Sequence, residues 1–107
     1  MKAMKYKNTL QKGSVRYIVF KEAGQWYAVG LEFNIVEFGN DPREVLLSLF
    51  EGIQGYLSAA RKVKARPYIL NQKSDPEYEQ LWKALEAGNK ESVSNKLQVA
   101  TFGRQAL

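Results

Sequence analysis

The feature that most constrains this chain is a change of hydrophobic period at Phe38-Gly39-Asn40-Asp41-Pro42-Arg43-Glu44. Before it, apolar residues alternate. After it, they recur every three or four positions. Alternation sends successive side chains to opposite faces of a strand, whereas the longer period lines them along one stripe of a helix. The junction itself carries helix-start chemistry. Gly39 permits the change of direction, and Asp41 is placed to cap the helix N-terminus. Pro42 falls at the first helical position, where its missing N–H costs nothing. Glu44 follows Asp41 at the spacing of a reciprocal capping box, and both acids suit the positive end of the helix dipole.

Upstream, Val15 to Lys21 reads as a first strand with Val15, Tyr17 and Val19 on one face and Arg16, Ile18 and Phe20 on the other. Apolar groups on both faces predict a central strand or one covered on both sides. Glu22-Ala23-Gly24-Gln25 is the turn of a hairpin. Trp26 to Phe33 is the second strand, with Tyr27, Val29, Leu31 and Phe33 on one face and Trp26, Ala28, Gly30 and Glu32 on the other. The small Ala28 and Gly30 leave room there for a helix or a second subunit to approach closely. Ile35 to Phe38 is a short third strand. Residues 1–13, polar and lysine-rich, read as a flexible basic lead-in to a single domain over 14–107.

Downstream, Leu46, Leu49/Phe50, Ile53, Tyr56/Leu57 and Ala60 form the helical stripe, and Arg61, Lys62 and Lys64 sit at the negative end of that helix. A C-terminal extension begins near residue 66. Pro67-Tyr68-Ile69-Leu70 is a short strand or an extended link. Asp75-Pro76 repeats the Asp-Pro helix start, and a second helix runs to about Ala87 with Tyr78, Leu81/Trp82 and Leu85 on one side. Lys90 to Asn95 is polar. Leu97 to Phe102 alternates again as a possible last strand. The fold class is therefore α+β: a small antiparallel sheet in a β-β-β-α core, a second helix and a C-terminal strand. One helix covers one face of such a sheet, so the second helix or a second subunit must cover the other. A homo-oligomer, dimer or higher, is the expectation for so short a chain.

A chain of 107 residues without cysteine or histidine lacks disulfides, thiolate chemistry and the commonest general base and metal ligand. No phosphate-binding glycine loop or nucleophile elbow is present. The expectation is a non-enzyme with no cofactor and no metal. Glu32, Glu37 and Asp41 are the acids that would have to converge for a nuclease-like Mg²⁺ site; read structurally, two are solvent-face residues of a sheet and one is a cap. No apolar run approaches the roughly 20 residues of a membrane span, and the N-terminus lacks the apolar centre of a signal peptide. A cytoplasmic protein is expected.

Charge falls in blocks. Residues 1–21 hold six cations and no acid, residues 22–51 hold six acids against Arg43, and residues 61–73 hold Arg61, Lys62, Lys64, Arg66 and Lys73 with no acid. Such blocks steer charged partners or are simply solvated. The basic tail with Arg61, Lys62, Lys64 and Arg66 is the candidate nucleic-acid surface.

The run from Tyr17 to Lys62 resembles the core of the HicB-like antitoxins, over roughly residues 15–61. Tyr17 to Phe20, Trp26 to Leu31, Gly39, Glu44 and Tyr56-Leu57 fall on that family's features, with Asp41 in place of its usual Thr or Ser and Val45 in place of its usual alanine. The resemblance implies a reduced RNase H-like sheet and helix that binds and silences a small basic mRNA-cleaving toxin. Many members carry a C-terminal helix-turn-helix or ribbon-helix-helix for operator DNA, and residues 66–107 match neither. The acidic stretch would suit a basic toxin by complementary charge. Glu32, Glu37 and Glu44 are the candidate contacts.

Overall fold

A computed structural model describes residues 6–88 and 97–107. In chain order it contains β1 (Ser14–Glu22), β2 (Gln25–Gly30), β3 (Ile35–Gly39), α1 (Pro42–Lys62), a 3-10 turn (Pro67–Leu70), α2 (Pro76–Glu86) and β4 (Gln98–Ala106). The first five residues of the lead-in and the polar stretch Lys90 to Asn95 lie outside the described residues. The fold is α+β, as the change of period predicts. Four antiparallel strands form one sheet in the order β3-β2-β1-β4.

β1 lies inside the sheet, paired with β2 on one side and β4 on the other. Its two apolar faces are both used: Val15 and Val19 belong to one core cluster, Ile18 and Phe20 to a second. The β1–β2 turn places Ala23 and Gly24 both at positive φ, 52° and 80°, as the twist of a two-residue hairpin demands. Residue Ala100 is extra in β4, because Val19 pairs Thr101 while Phe20 pairs Val99.

Helix α1 covers the first face. Asp41 accepts hydrogen bonds from the N–H groups of Arg43 and Glu44, and Val45, Leu49, Ile53, Leu57 and Ala60 are buried. Val45 joins the stripe read from the sequence. The room left at Gly30 belongs to this helix: a Cβ there would stand 3.3 Å from Leu49 and 3.4 Å from Val15. Helix α2 covers the second face. Its Leu81 and Trp82 pack with Ile18, Phe20, Val29 and Leu31. Each sheet face thus carries a helix from the same chain.

Three local readings change. β2 ends at Gly30, and Asn34, at φ 53°, turns the chain into β3. That turn breaks the alternation, so Phe33 leaves the Tyr27–Val29–Leu31 face and packs under α1, with its ring 4.7 Å from that of Tyr56. Residues Pro67–Leu70 are neither strand nor extended link but a 3-10 turn with Pro67 in its first turn, a place where proline's fixed φ is helical already. The described part of the lead-in is anchored. Asn8 is buried, donates from Nδ2 to the Leu70 carbonyl at 2.8 Å, and accepts from the Ser14 N–H at 2.8 Å.

Candidate functional site

The three carboxylates singled out by the sequence do not form one edge. Glu32 is held on the α2 side of the sheet. Its Oε1 accepts from the Arg16 N–H at 2.8 Å and its Oε2 from Arg16 Nε at 2.7 Å. The other end of the same guanidinium forks onto Glu79 of α2, at 2.9 and 2.6 Å, and its Cζ lies 5.6 Å from the centroid of the Trp82 ring. Arg16 is therefore a clamp that ties β1, the β2–β3 turn and α2 together. The Arg16 fork holds the Glu79 carboxyl below its ordinary range, helped by a hydrogen bond from the Ser74 hydroxyl and opposed by burial. Sequence alternation put Arg16 on the Ile18–Phe20 face, but its partners lie 16 and 63 positions away, beyond any local signal.

Glu37 lies on the opposite, α1 side. It pairs across β2 with Ala28, which is buried under α1. A Cβ on Gly52 of α1 would stand 3.5 Å from Glu37 Oε1 and 3.6 Å from Ile35. The side of α1 that carries Gly52 therefore runs along β3. Glu44 and Ser48 precede Gly52 at intervals of four, each step turning about 40° further from the buried stripe, and both are exposed. Glu37 thus borders the boundary between β3 and α1, whereas Glu44 and Glu51, about 80–100° round the helix from Gly52, stand on the exposed face of α1 away from its buried stripe, with Asp41 at the helix start. With Glu32 and Glu37 on opposite faces of the sheet, the three acids of the nuclease-like arrangement do not converge. Among the described residues, no group of three acids could hold a metal ion.

β3 is also an edge strand, with an open row of backbone N–H and C=O groups. Its α2-side residues are apolar and uncovered: Phe38 is 71% exposed and Val36 44%. The sequence reading gives this strand as the short third strand and assigns Phe38 no role. The signal that finds it is position: alternation puts Phe38 on the face that α2 has to cover, at the strand farthest from β4.

The basic block lies at the other end of α1. Glu44 and Arg61 are separated by 17 helical residues, about 26 Å at 1.5 Å per residue, more than two Debye lengths at physiological salt. The two charge patches therefore act independently. Arg61 donates from Nε to the Leu10 carbonyl at 2.8 Å, so part of its fork holds the lead-in. Lys62, Lys64 and Arg66 are exposed, as are Val63 and Tyr68 between and beside them.

Comparison with protein-family models, curated proteins and solved structures finds no match to this chain. Among the described residues, no helix is long and apolar enough to cross a membrane. The class defined by the coordinates is a small α+β protein with a four-stranded antiparallel sheet between two helices, bearing an acidic strand edge at one end and a basic helix end at the other.

Proposed function

We propose that this chain is a non-catalytic interaction module that docks a basic protein along the edge formed by β3 and the first half of α1. The observation that carries the reading is a coincidence on one edge. An open edge strand carrying an exposed Phe38 and Glu37 lies beside a helix whose outer face displays the carboxylates Glu44 and Glu51. An open strand offers main-chain hydrogen bonds to an added segment, and alternate side chains give it specificity. The carboxylates speed encounter with a cationic surface. Glu32, the remaining candidate contact, is excluded from this surface because Arg16 holds it on the other side. The HicB-like resemblance gives the partner a concrete form, a small basic mRNA-cleaving toxin, and the module the role of a cytoplasmic antitoxin. Homo-oligomerisation was expected for want of a cover over the second sheet face. With α2 in that place, the large apolar residues left exposed among the described residues are Val36, Phe38 and Phe102 at the two sheet edges, Leu47 on α1, and Val63 and Tyr68 beyond the end of α1.

Co-expression with the product of the adjoining reading frame tests the reading. Capture of a small basic protein is expected, and reversing charge with Glu37→Lys and Glu44→Lys together should weaken it roughly tenfold or more, chiefly through slower association. A neighbour that is neither small nor basic and does not bind removes the antitoxin role. Capture that is indifferent to the double reversal removes the edge.

A second reading is favoured by one observation: Tyr68 is 59% exposed beside the cations Lys64 and Arg66. An exposed ring among cations suits single-stranded nucleic acid, by stacking and phosphate contact. Binding to a short single-stranded RNA should then fall steeply between low and moderate salt and fall again in Tyr68→Ala. A flat salt response or no binding ends this reading.

A further inference from the structure

Between the hairpin end of the sheet and the start of α2 lies a cavity of about 250 Å³ with a wall of aromatic rings and a rim of carboxylates. Phe20 and Tyr27 are stacked, with centroids 5.4 Å apart, and Tyr78 of α2 stands 6.2 Å from Phe20. Glu22, the last residue of β1, and Glu77, in the first turn of α2, complete the lining on the solvent side. Both acids are exposed, and among the described residues neither has a cation within ion-pair distance.

We propose that this pocket binds an alkylammonium head group, seated against Phe20, Tyr27 and Tyr78 and neutralised by Glu22 and Glu77. Ring faces carry negative electrostatic potential and attract organic cations, the more so where water is displaced. Two carboxylates at the rim add the charge that the rings lack. The volume is below the roughly 300–1,000 Å³ of sites for drug-sized ligands and suits a single head group. A divalent metal fits less well, since it needs a nearly complete shell of oxygen ligands, and the lining supplies two carboxylates, Glu22 and Glu77, beside three rings and the aliphatic Leu81 and Leu97. The Tyr78 hydroxyl reports the local field: burial foremost, and then the carboxylates of Asp75, Glu77 and Glu22, push its pKa above the ordinary phenol value. The inference does not rest on the partner reading, because the pocket opens on the α2 side of the sheet and its ligand is tested without any protein partner.

The ammonium group has two possible sources: a free quaternary amine or a lysine side chain displayed on a peptide. The full chain is titrated, with resonances of Tyr27 and Tyr78 followed by nuclear magnetic resonance, against choline, against the uncharged isostere of choline with carbon in place of nitrogen, and against acetyl-lysine-amide with a free side chain. Saturable shifts are expected with at least one cation, with a dissociation constant of roughly millimolar order, and the isostere should bind at least about tenfold more weakly. Stronger binding of choline identifies a free amine as the source, and stronger binding of the lysine derivative identifies a displayed side chain. Glu22→Gln with Glu77→Gln changes only exposed residues, so it should leave the fold intact and weaken cation binding by a further order of magnitude or so. Equal binding of the isostere, indifference to the double substitution, or the absence of saturable shifts with both cations overturns the proposal.

Discussion

Arg16→Met is expected to lower stability by about 2–4 kcal/mol and the melting midpoint by roughly 10–25 °C. Arg16 has 18% of its side chain exposed and Glu32 15%, so removing the cation leaves a mostly buried carboxylate without its partner. Glu79, at 33%, is more open to water, and that moderates the penalty. Methionine keeps an unbranched apolar stem but not the guanidinium over the Trp82 ring, so the loss reports the cation's contacts with Glu32, Glu79 and Trp82 together. Lysine should rescue little, because a single ammonium cannot fork onto Glu79 while also bonding Glu32. Arg104→Met is the control. Arg104 meets Glu86 at 3.5 Å with both side chains more than half exposed, and that change should cost about 1 kcal/mol or less.

The same clamp fixes an acid dependence. The folded-state pKa of Glu79 lies below the ordinary value of 4.5. The associated stabilisation is therefore fully present above that value and is lost as pH falls through the folded-state pKa. Urea midpoints measured across that acid range should fall more steeply for the wild-type chain than for Arg16→Met, in which the largest part of this contribution is already gone and only that of Ser74 and Lys83 is left.

Asn8→Ala is expected to cost about 2–4 kcal/mol, a large effect for a residue in what reads as a floppy tail. Its amide satisfies the buried Leu70 carbonyl and the Ser14 N–H, while its backbone N–H and C=O bond reciprocally to the Asn71 side chain at 2.9 Å each. Alanine restores neither side-chain bond. Gly13→Ala should be at least as damaging. A Cβ there would fall 2.1 Å from Asn8 Oδ1, and Gly13 has φ of 143°, a conformation that side chains resist. Denaturant unfolding of both variants decides the point. A truly flexible lead-in would leave both within about 0.5 kcal/mol of the parent.

These two predictions mark where the sequence is readable. The strand-to-helix junction was legible because its causes are local: Asp41 caps N–H groups two and three residues on, and the α1 stripe repeats within one helix. The two-sided apolar pattern of β1 and the alternation near the C-terminus likewise led to a central strand and to β4. Asn8 gave no such signal. Its side-chain partner at Leu70 is 62 positions away, and an asparagine in a polar run looks the same whether solvated or buried. Alternation puts Phe33 on the wrong face because it holds only while the strand lasts, and β2 ends at Gly30, before the turn that carries Phe33. At the candidate edge, Glu37 stands at the boundary between β3 and α1, and Glu44 on the exposed face of that helix. Glu32 was grouped with them by charge alone, and its pairing with Arg16 depends on how the β2–β3 turn folds back beside β1.

The central claim is that the β3–α1 edge is the contact surface for a basic partner. Chemical-shift mapping of the isotope-labelled chain with the purified basic product of the adjoining reading frame tests it most directly. The account predicts perturbations concentrated on Ile35–Gly39 and on α1 from Pro42 to Glu51, weakening as salt is raised. Perturbations centred on Lys62 to Tyr68 or on β4, with β3 unchanged, would contradict it.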